Sequence, residues 1–262
     1  MFIKLKNLKV TFKIVVFIVL YTAVFYFFRT SSYYNLRLLL ADLGGIPWLY
    51  ATIGSIFGII SAFIIQKEWT QWSNLEDAVK SEVQALNELW LWTANLPEIN
   101  KTKIRQAIID YLKVLVSEGW KKTEAGQISQ ELENALIVIN SAISEINVTN
   151  SNQYLVSTSF KLFSNLTRNR TKRMRYSVVH MPQILRQAFR YATVLMIVLS
   201  PFIVIKKIEI HYLFTASIAL LSYIIYVVAD DLDHPLRPGG WHLTTKDYKT
   251  LLKKLETNHN SK

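Results

Sequence analysis

The sequence has 262 residues, 51% of them hydrophobic, and no cysteine, which excludes disulfides, thiolate metal sites and thiol nucleophiles. Its 30 Lys and Arg residues exceed the 19 Asp and Glu residues and give a net charge of +11. Because the apolar residues are gathered into blocks, the composition indicates a membrane protein whose basic residues face the cytoplasm and anionic lipid headgroups. It argues against a nucleic-acid-binding protein.

The first apolar block, residues 14–28, follows a segment with four lysines and no acidic residue. This order is typical of a signal peptide, but no small-residue cleavage site follows, so we predict a retained membrane helix. The block is short for a span, and Lys13 and Arg29 can extend their charges to the interface. The lysines predict a cytoplasmic N-terminus, and residues 29–45 are expected to form a short external connection.

The second block, residues 46–65, contains 20 residues without a charge. As a helix it would be about 30 Å long, which matches the hydrocarbon core of a bilayer. Gly54 and Gly58 form a GxxxG pair, which favours close helix packing and also suits a narrow pore. The sequence after residue 66 becomes charged but keeps a helical pattern. We therefore predict one helix that leaves the membrane and continues into water.

Residues 67–187 are predicted to form a helical cytoplasmic domain. Helices are expected over residues 68–96, ending at Pro97, and over residues 98–118, ending at Gly119. A turn is expected at residues 147–152, and residues 153–164 fit either a short helix or a strand. A third helix is predicted by apolar residues three and four positions apart, namely Ile128, Leu132, Ala135, Leu136, Ile139, Ala142, Ile143 and Ile146.

The third and fourth blocks, residues 191–205 and 210–229, are joined by so few residues that they should form an antiparallel hairpin. A helix is expected to start near Pro182, and Pro201 should bend the third block. Four crossings would place both termini in the cytoplasm. The predicted parts are an N-terminal membrane hairpin (1–66), the cytoplasmic domain (67–187), a C-terminal membrane hairpin (188–229) and a polar cytoplasmic tail (230–262).

Two charged groups are candidate sites. Asp230, Asp231 and Asp233 follow the fourth block and can bind a cation, contact the basic run 168–175 of a neighbouring subunit, or form a solvated turn. The basic run can bind lipid headgroups, attract anions to a pore, pair with these aspartates, or be solvated. Its members singled out here as lining a vestibule or facing lipid are Arg168, Arg170 and Arg173.

No catalytic constellation is present in the sequence. The five histidines show no ligand spacing, and the motifs of hydrolases, nucleotide-binding proteins and zinc proteases do not occur. We therefore expect neither an enzyme, nor a cofactor, nor a bound metal.

Two stretches resemble a known family. The first is an apolar helix, a W-x-x-W-x-N pattern and an amphipathic continuation; the second is a hydrophobic helix, an acidic LDxP element and a basic-Pro-Gly turn. This layout, over residues 45–243, is similar to the bestrophin superfamily, and most similar to its bacterial bestrophin-like branch, a domain of unknown function. The motif residues are Trp69, Trp72 and Asn74 in the first stretch and Leu232, Asp233 and Pro235 in the second.

The resemblance implies an all-α homopentameric ion channel in which five copies of the second membrane helix line a hydrophobic neck above a cytoplasmic vestibule. Alignment on the tryptophan-rich end of that helix places Ala51, Ser55 and Ile59 on the pore side. Alignment on its start favours another face, that of Ile46, Tyr50 and Gly54.

The sequence departs from calcium-gated members of the family after the acidic LDxP element. Those members have further acidic residues there, whereas residues 237–241 here are RPGGW. Calcium gating through the three aspartates is therefore not expected. The proposed neck is also less bulky and less aromatic than that of true bestrophins.

We therefore expect a bestrophin-like channel of a bacterial inner membrane that conducts anions, chloride or bicarbonate, with a basic vestibule. Its partners would be membrane lipids, small inorganic ions and further copies of the chain, with no nucleic acid. The alternative is a non-conducting membrane scaffold or sensor whose cytoplasmic helices bind a partner.

Overall fold

The computed structural model describes residues 2–30, 46–147, 153–203, 205 and 207–260, and these residues are helical apart from short connections. This confirms the predicted all-α class. The α-helices are α1 (Phe2–Thr30), α2 (Ile46–Trp92), α3 (Glu98–Val114), α4 (Trp120–Glu124), α5 (Gln130–Ser144), α6 (Gln153–Val178), α7 (Gln183–Leu199), α8 (Ile208–Asp233) and α9 (Lys246–Asn260). A π-helical turn, Leu115–Gly119, joins α3 to α4, and a 3₁₀ turn follows each of α2 and α7.

The chain divides into two compact units. The first contains Met1–Thr70 and His180–His242, and the second contains Gln71–Val179 and Leu243–Lys262. Helix α2 is continuous and contributes residues to both units, which agrees with the predicted single helix that extends beyond its apolar block.

The first unit contains α1, the apolar part of α2, α7 and α8. Among the residues that the structure describes, two helices, α2 and α8, are long and apolar enough to cross a membrane, and only 22% of the most apolar window of each is buried. A core helix of a water-soluble protein would be mostly buried. The exposed apolar surface therefore suits a lipid environment. A shorter apolar helix covers Phe12–Phe27.

The second unit contains the rest of α2, from Gln71 onward, with α3, α4, α5, α6 and α9. The predicted apolar face of α5 is buried, and the hydroxyl of Ser129 caps the helix by accepting the N–H of Leu132 at 3.3 Å. Ile128, just before the helix, is exposed instead. The buried residues of α5 are Leu132, Leu136, Ile139, Ala142 and Ile143.

One predicted helix boundary is wrong, and one predicted bend is instead the end of a helix. Gly119 does not end a helix, because the chain passes through the π-helical turn and continues to Glu124. A Cβ at Gly119 would lie 3.2 Å from Leu132 Cδ2, so this glycine allows a close approach of α5. The helical run ends near Gly126, which has a φ of +70°, a left-handed backbone conformation that glycine adopts without a steric cost. Pro201 does not bend a helix, because α7 ends at Leu199 and the proline lies in a 3₁₀ turn.

Two further stretches are helical, one of them left open between helix and strand and the other expected to be a tail. The stretch 153–164 is helical, as the first part of α6. Residues 230–262, expected to be a polar tail, contain α9, whose Tyr248, Leu251 and Leu255 are buried in the second unit. The expected connection at 29–45 and the turn at 147–152 lie largely outside the described residues.

Candidate functional site

One side of α2 packs inside the first unit. Phe57 stacks on Phe189 of α7, with ring centroids 6.0 Å apart. The hydroxyl of Tyr50 donates to the carbonyl oxygen of Met196 at 3.2 Å, and a Cβ at Gly54 would lie 3.4 Å from Met196 Cε. The face that carries Tyr50 and Gly54 is therefore occupied by contacts within the subunit.

Another side of α2 carries no packing residue of the first unit's core, as far as the described residues show. Ala51, Ser55 and Ile59 are all exposed, and Ile59 is 60% exposed. The Ser55 hydroxyl donates to the carbonyl oxygen of Ala51 at 2.9 Å, which leaves the oxygen of that hydroxyl able to accept from outside the helix. A Cβ added at Gly58 would also meet no atom of the described residues within 4 Å. This surface is available to lipid, to a second copy of the chain or to a pore.

The three arginines singled out from the basic run differ in exposure. Arg168 is exposed and donates to Asn165 Oδ1 at 2.9 Å. Arg170 is 6% exposed and pairs with Glu133 at 2.5 Å, and Arg173 is completely buried. The expectation that all three line a vestibule or face lipid is corrected for Arg170 and Arg173, because their charges are used inside the second unit.

Arg173 belongs to a buried cluster around Glu82 of α2. The arginine Nε donates to Glu82 Oε2 at 2.5 Å, and the Tyr111 and Tyr248 hydroxyls donate to the same carboxylate at 2.6 and 2.9 Å. Burial, with the charge of Glu82, raises the pKa of both tyrosines well above 10.0, so they remain donors. Burial disfavours the charge of Arg173, but Glu82 outweighs it and the pKa of Arg173 is raised.

Asp231 shapes the turn that follows α8. Its carboxylate accepts the backbone N–H groups of Gly240 at 2.7 Å and Trp241 at 3.1 Å. A Cβ at Gly239 would lie 1.6 Å from Asp231 Oδ1, so only glycine fits there. Trp241 in turn meets the ring of Trp69 edge to face at 6.4 Å. Backbone N–H groups therefore bind this carboxylate.

Asp233 is buried at the end of α8. It accepts the backbone N–H of Met181 at 2.6 Å and pairs with Arg186 at 2.6 Å, while its carbonyl oxygen lies 2.8 Å from Nδ1 of His180. Its arginine partner thus lies outside the basic run. Asp230 is exposed. Within the described ranges, no group of three or more His, Asp or Glu side chains is arranged to hold a metal ion.

Sequence reasoning missed the buried acids Glu68 and Glu82 of α2. For Glu82 a signal exists. It occupies a position in the buried stripe of the helix, seven residues after Leu75 and seven before Leu89, where an apolar residue is the rule.

Comparisons with known proteins agree on one family. Residues 45–237 match the protein family described as the bestrophin-like domain. The chain is also similar to crystal structures of a bacterial bestrophin homolog from Klebsiella pneumoniae that carry a mutation. One has a TM-score of 0.73 and 12% identity over 96% of this chain and 99% of that chain, and another has 0.72 and 12% over 95% and 98%. A structure described as a membrane protein has 0.72 and 12% over 95% and 97%. Among curated proteins, none matches this chain.

Proposed function

The chain belongs to the bestrophin-like family, and from this premise we propose that it forms a homo-oligomeric ion channel with α2 lining the pore. The observation that carries the proposal is the two-sided surface of α2. Tyr50 and Phe57, on one side, are buried by packing within the subunit. Ala51, Ser55 and Ile59, on another side, are exposed although the helix is apolar. In an oligomer with a shared symmetry axis, this exposed face of α2 would line a pore along that axis.

The proposed neck is mainly apolar. Ala51 and Ile59 offer no hydrogen bond, and Ser55 offers one small hydroxyl per subunit. A narrow pore of this kind gates by dewetting and passes partly dehydrated ions. The proposed state is a pentamer with four membrane segments per subunit, both termini in the cytoplasm, in a bacterial inner membrane.

Anions, chloride or bicarbonate, are the proposed permeant ions. The net charge of +11 raises the local concentration of anions near the protein. Because Arg170 and Arg173 are buried, the basic vestibule in this proposal relies on exposed residues such as Arg168.

The first test is native mass spectrometry of the detergent-purified protein. A pentamer supports the shared axis. A monomer or dimer removes that axis, and with it the pore, and favours the membrane scaffold whose cytoplasmic helices bind a partner.

The second test is anion efflux from liposomes that contain the purified protein. Ser55→Leu makes the neck narrower and more apolar, and each 1.4 kcal/mol or so added to the barrier lowers the flux about tenfold. Ile59→Ala should raise the flux. The matched control is Ser217→Leu on α8, because Ser217 is also exposed and also donates to the carbonyl four residues earlier. Equal flux in all four proteins would reject the pore assignment.

A further inference from the structure

A buried carboxyl group lies just beyond the apolar block of α2. The side chain of Glu68 is 1% exposed. Neither of its carboxylate oxygens has a hydrogen-bond partner among the residues that the structure describes. Its ion-pair contact is Lys67 Nζ at 3.6 Å, and that lysine is 43% exposed. An ammonium group so open to water compensates a buried charge only weakly.

Ile64 of α2 and Ala229 of α8 belong to one buried apolar cluster, so the end of the apolar block lies against α8. Charged groups near this contact act on Glu68. Asp233, from the end of α8, repels a negative charge on Glu68, and His180, before α7, attracts it. Arg186 of α7 lies 2.6 Å from Asp233 Oδ2, and the Met181 N–H lies 2.6 Å from Oδ1. The guanidinium of Arg186 is therefore paired with Asp233 and not with Glu68.

His180 does not act as a close partner of Glu68 either. Its Nδ1 lies 2.8 Å from the carbonyl oxygen of Asp233, and its ring stacks on that of His234, with centroids 5.3 Å apart. The Nδ1 of His234 lies 2.9 Å from the carbonyl oxygen of Asp230. Both imidazoles are thus oriented by backbone carbonyls at the end of α8.

An ionised Glu68 would be a second buried negative charge that Asp233 repels. A buried charge without a hydrogen bond is costly, and a carboxyl group avoids this cost by keeping its proton. Burial first, and then the charge of Asp233, raise the pKa of Glu68 above its ordinary value of 4.5, against the weaker effects of Lys67 and His180.

We propose that Glu68 is a proton-binding site, and that the charge state of its carboxyl group controls how tightly the segment of α2 after the apolar block packs against the end of α8. With the proton bound, this segment is uncharged at Glu68 and packs closely. When the proton leaves, the carboxylates of Glu68 and Asp233 repel each other. This device does not depend on ion conduction, so it can be tested separately from the channel.

The sign of the pH dependence follows from linkage. The folded protein binds this proton more tightly than the unfolded chain does. The resulting stabilisation is complete below the pKa of Glu68 in the unfolded chain, which is near 4.5. It is lost as the pH rises through the higher pKa of Glu68 in the folded protein. Glu68→Gln keeps the shape, removes the charge, and should remove this part of the pH dependence.

Infrared titration of the full-length protein in detergent detects the proton directly. The wild type should keep the carbonyl band of a protonated carboxyl group at a pH where exposed glutamates have ionised. Glu68→Gln should lack this band. Glu76→Gln is the matched control, because Glu76 lies on the same helix, is partly exposed and pairs with Lys80 at 3.0 Å. It should keep the band.

A second variant keeps the test decisive if Glu68→Gln folds poorly. Asp233→Asn removes the repelling charge and frees Arg186, so the band should disappear at a lower pH than in the wild type. Thermal unfolding should also show a midpoint that falls with rising pH in the wild type and in Glu76→Gln, but less in Glu68→Gln. The proposal is overturned if the wild type has no such band, if Glu68→Gln retains it, or if Asp233→Asn leaves its titration unchanged.

Discussion

Arg173 of α6 and Glu82 of α2 form an ion pair in which both side chains are completely buried. Tyr111 of α3 and Tyr248 of α9 donate to the same carboxylate. Four helices of the second unit are therefore joined at one charged group. Such a pair is stabilising only while every member is present, because each charge has been removed from water.

Removing Arg173 should destabilise the second unit strongly. Arg173→Met leaves the carboxylate of Glu82 buried without its cation, and we expect a loss of about 3–5 kcal/mol in the free energy of unfolding. Denaturant unfolding of the protein in detergent measures this loss. The control is Lys113→Met, which breaks a half-exposed pair with Glu256 at 3.3 Å and should cost less than about 1 kcal/mol. Similar losses in the two variants would contradict the structural role of the buried pair.

Tyr248 should anchor α9 to the rest of the second unit. Tyr248→Phe removes one hydrogen bond to a charged group, at an expected cost of about 1.5–3 kcal/mol. Because this residue lies in the first turn of α9, limited proteolysis between α8 and α9 should become faster. Tyr154→Phe is the control, since Tyr154 is 79% exposed and its loss of a hydroxyl should change neither property. An unchanged cleavage rate in Tyr248→Phe would show that α9 is held by other contacts.

The turn after α8 should tolerate no side chain at Gly239. In Gly239→Ala the new Cβ would overlap Asp231 Oδ1 at 1.6 Å, so the turn must move. This movement should weaken the hydrogen bonds that the N–H groups of Gly240 and Trp241 donate to the carboxylate. We expect a destabilisation of about 1–3 kcal/mol, typical of overpacking. Thermal unfolding and tryptophan fluorescence report the change, since Trp241 contacts Trp69. Gly240→Ala, with its Cβ 3.2 Å from the same carboxylate, should have a smaller effect. The reverse order would contradict this geometry.

Local periodicity predicted the helices well, because the residues that form the buried face of one helix are only three or four positions apart in the sequence. The apolar face of α5 and the end of α2 before Pro97 are examples. The apolar steps Tyr248, Leu251 and Leu255 also carried a signal for α9, but the lysines around them suggested a polar tail.

The charged groups were harder to predict, because a charge gives no sign of its partner. Arg173 and Glu82 are 91 residues apart in sequence, and the arginine looked like part of a solvated basic run. Asp231 likewise suggested a cation ligand, although one of its carboxylate oxygens accepts backbone N–H groups nine and ten residues away. The face of α2 toward Tyr50 and Gly54 could be assigned only from the packing of Met196 against it.

The charge at Arg168 tests the proposed anion preference, because it can be changed without touching a buried pair. Arg168 is exposed and donates to Asn165, so Arg168→Gln and Arg168→Glu should both fold. If this residue enriches anions near a pore, the reversal potential under a salt gradient should shift in two steps, from wild type to Gln to Glu, toward the value expected for a cation-selective channel. The shift should become smaller at high salt because of screening. Lys121→Glu, an exposed residue of α4, is the control for net charge alone. A reversal potential that stays constant through the Arg168 series would place the origin of selectivity in the neck of α2, since a distant surface charge would then contribute nothing.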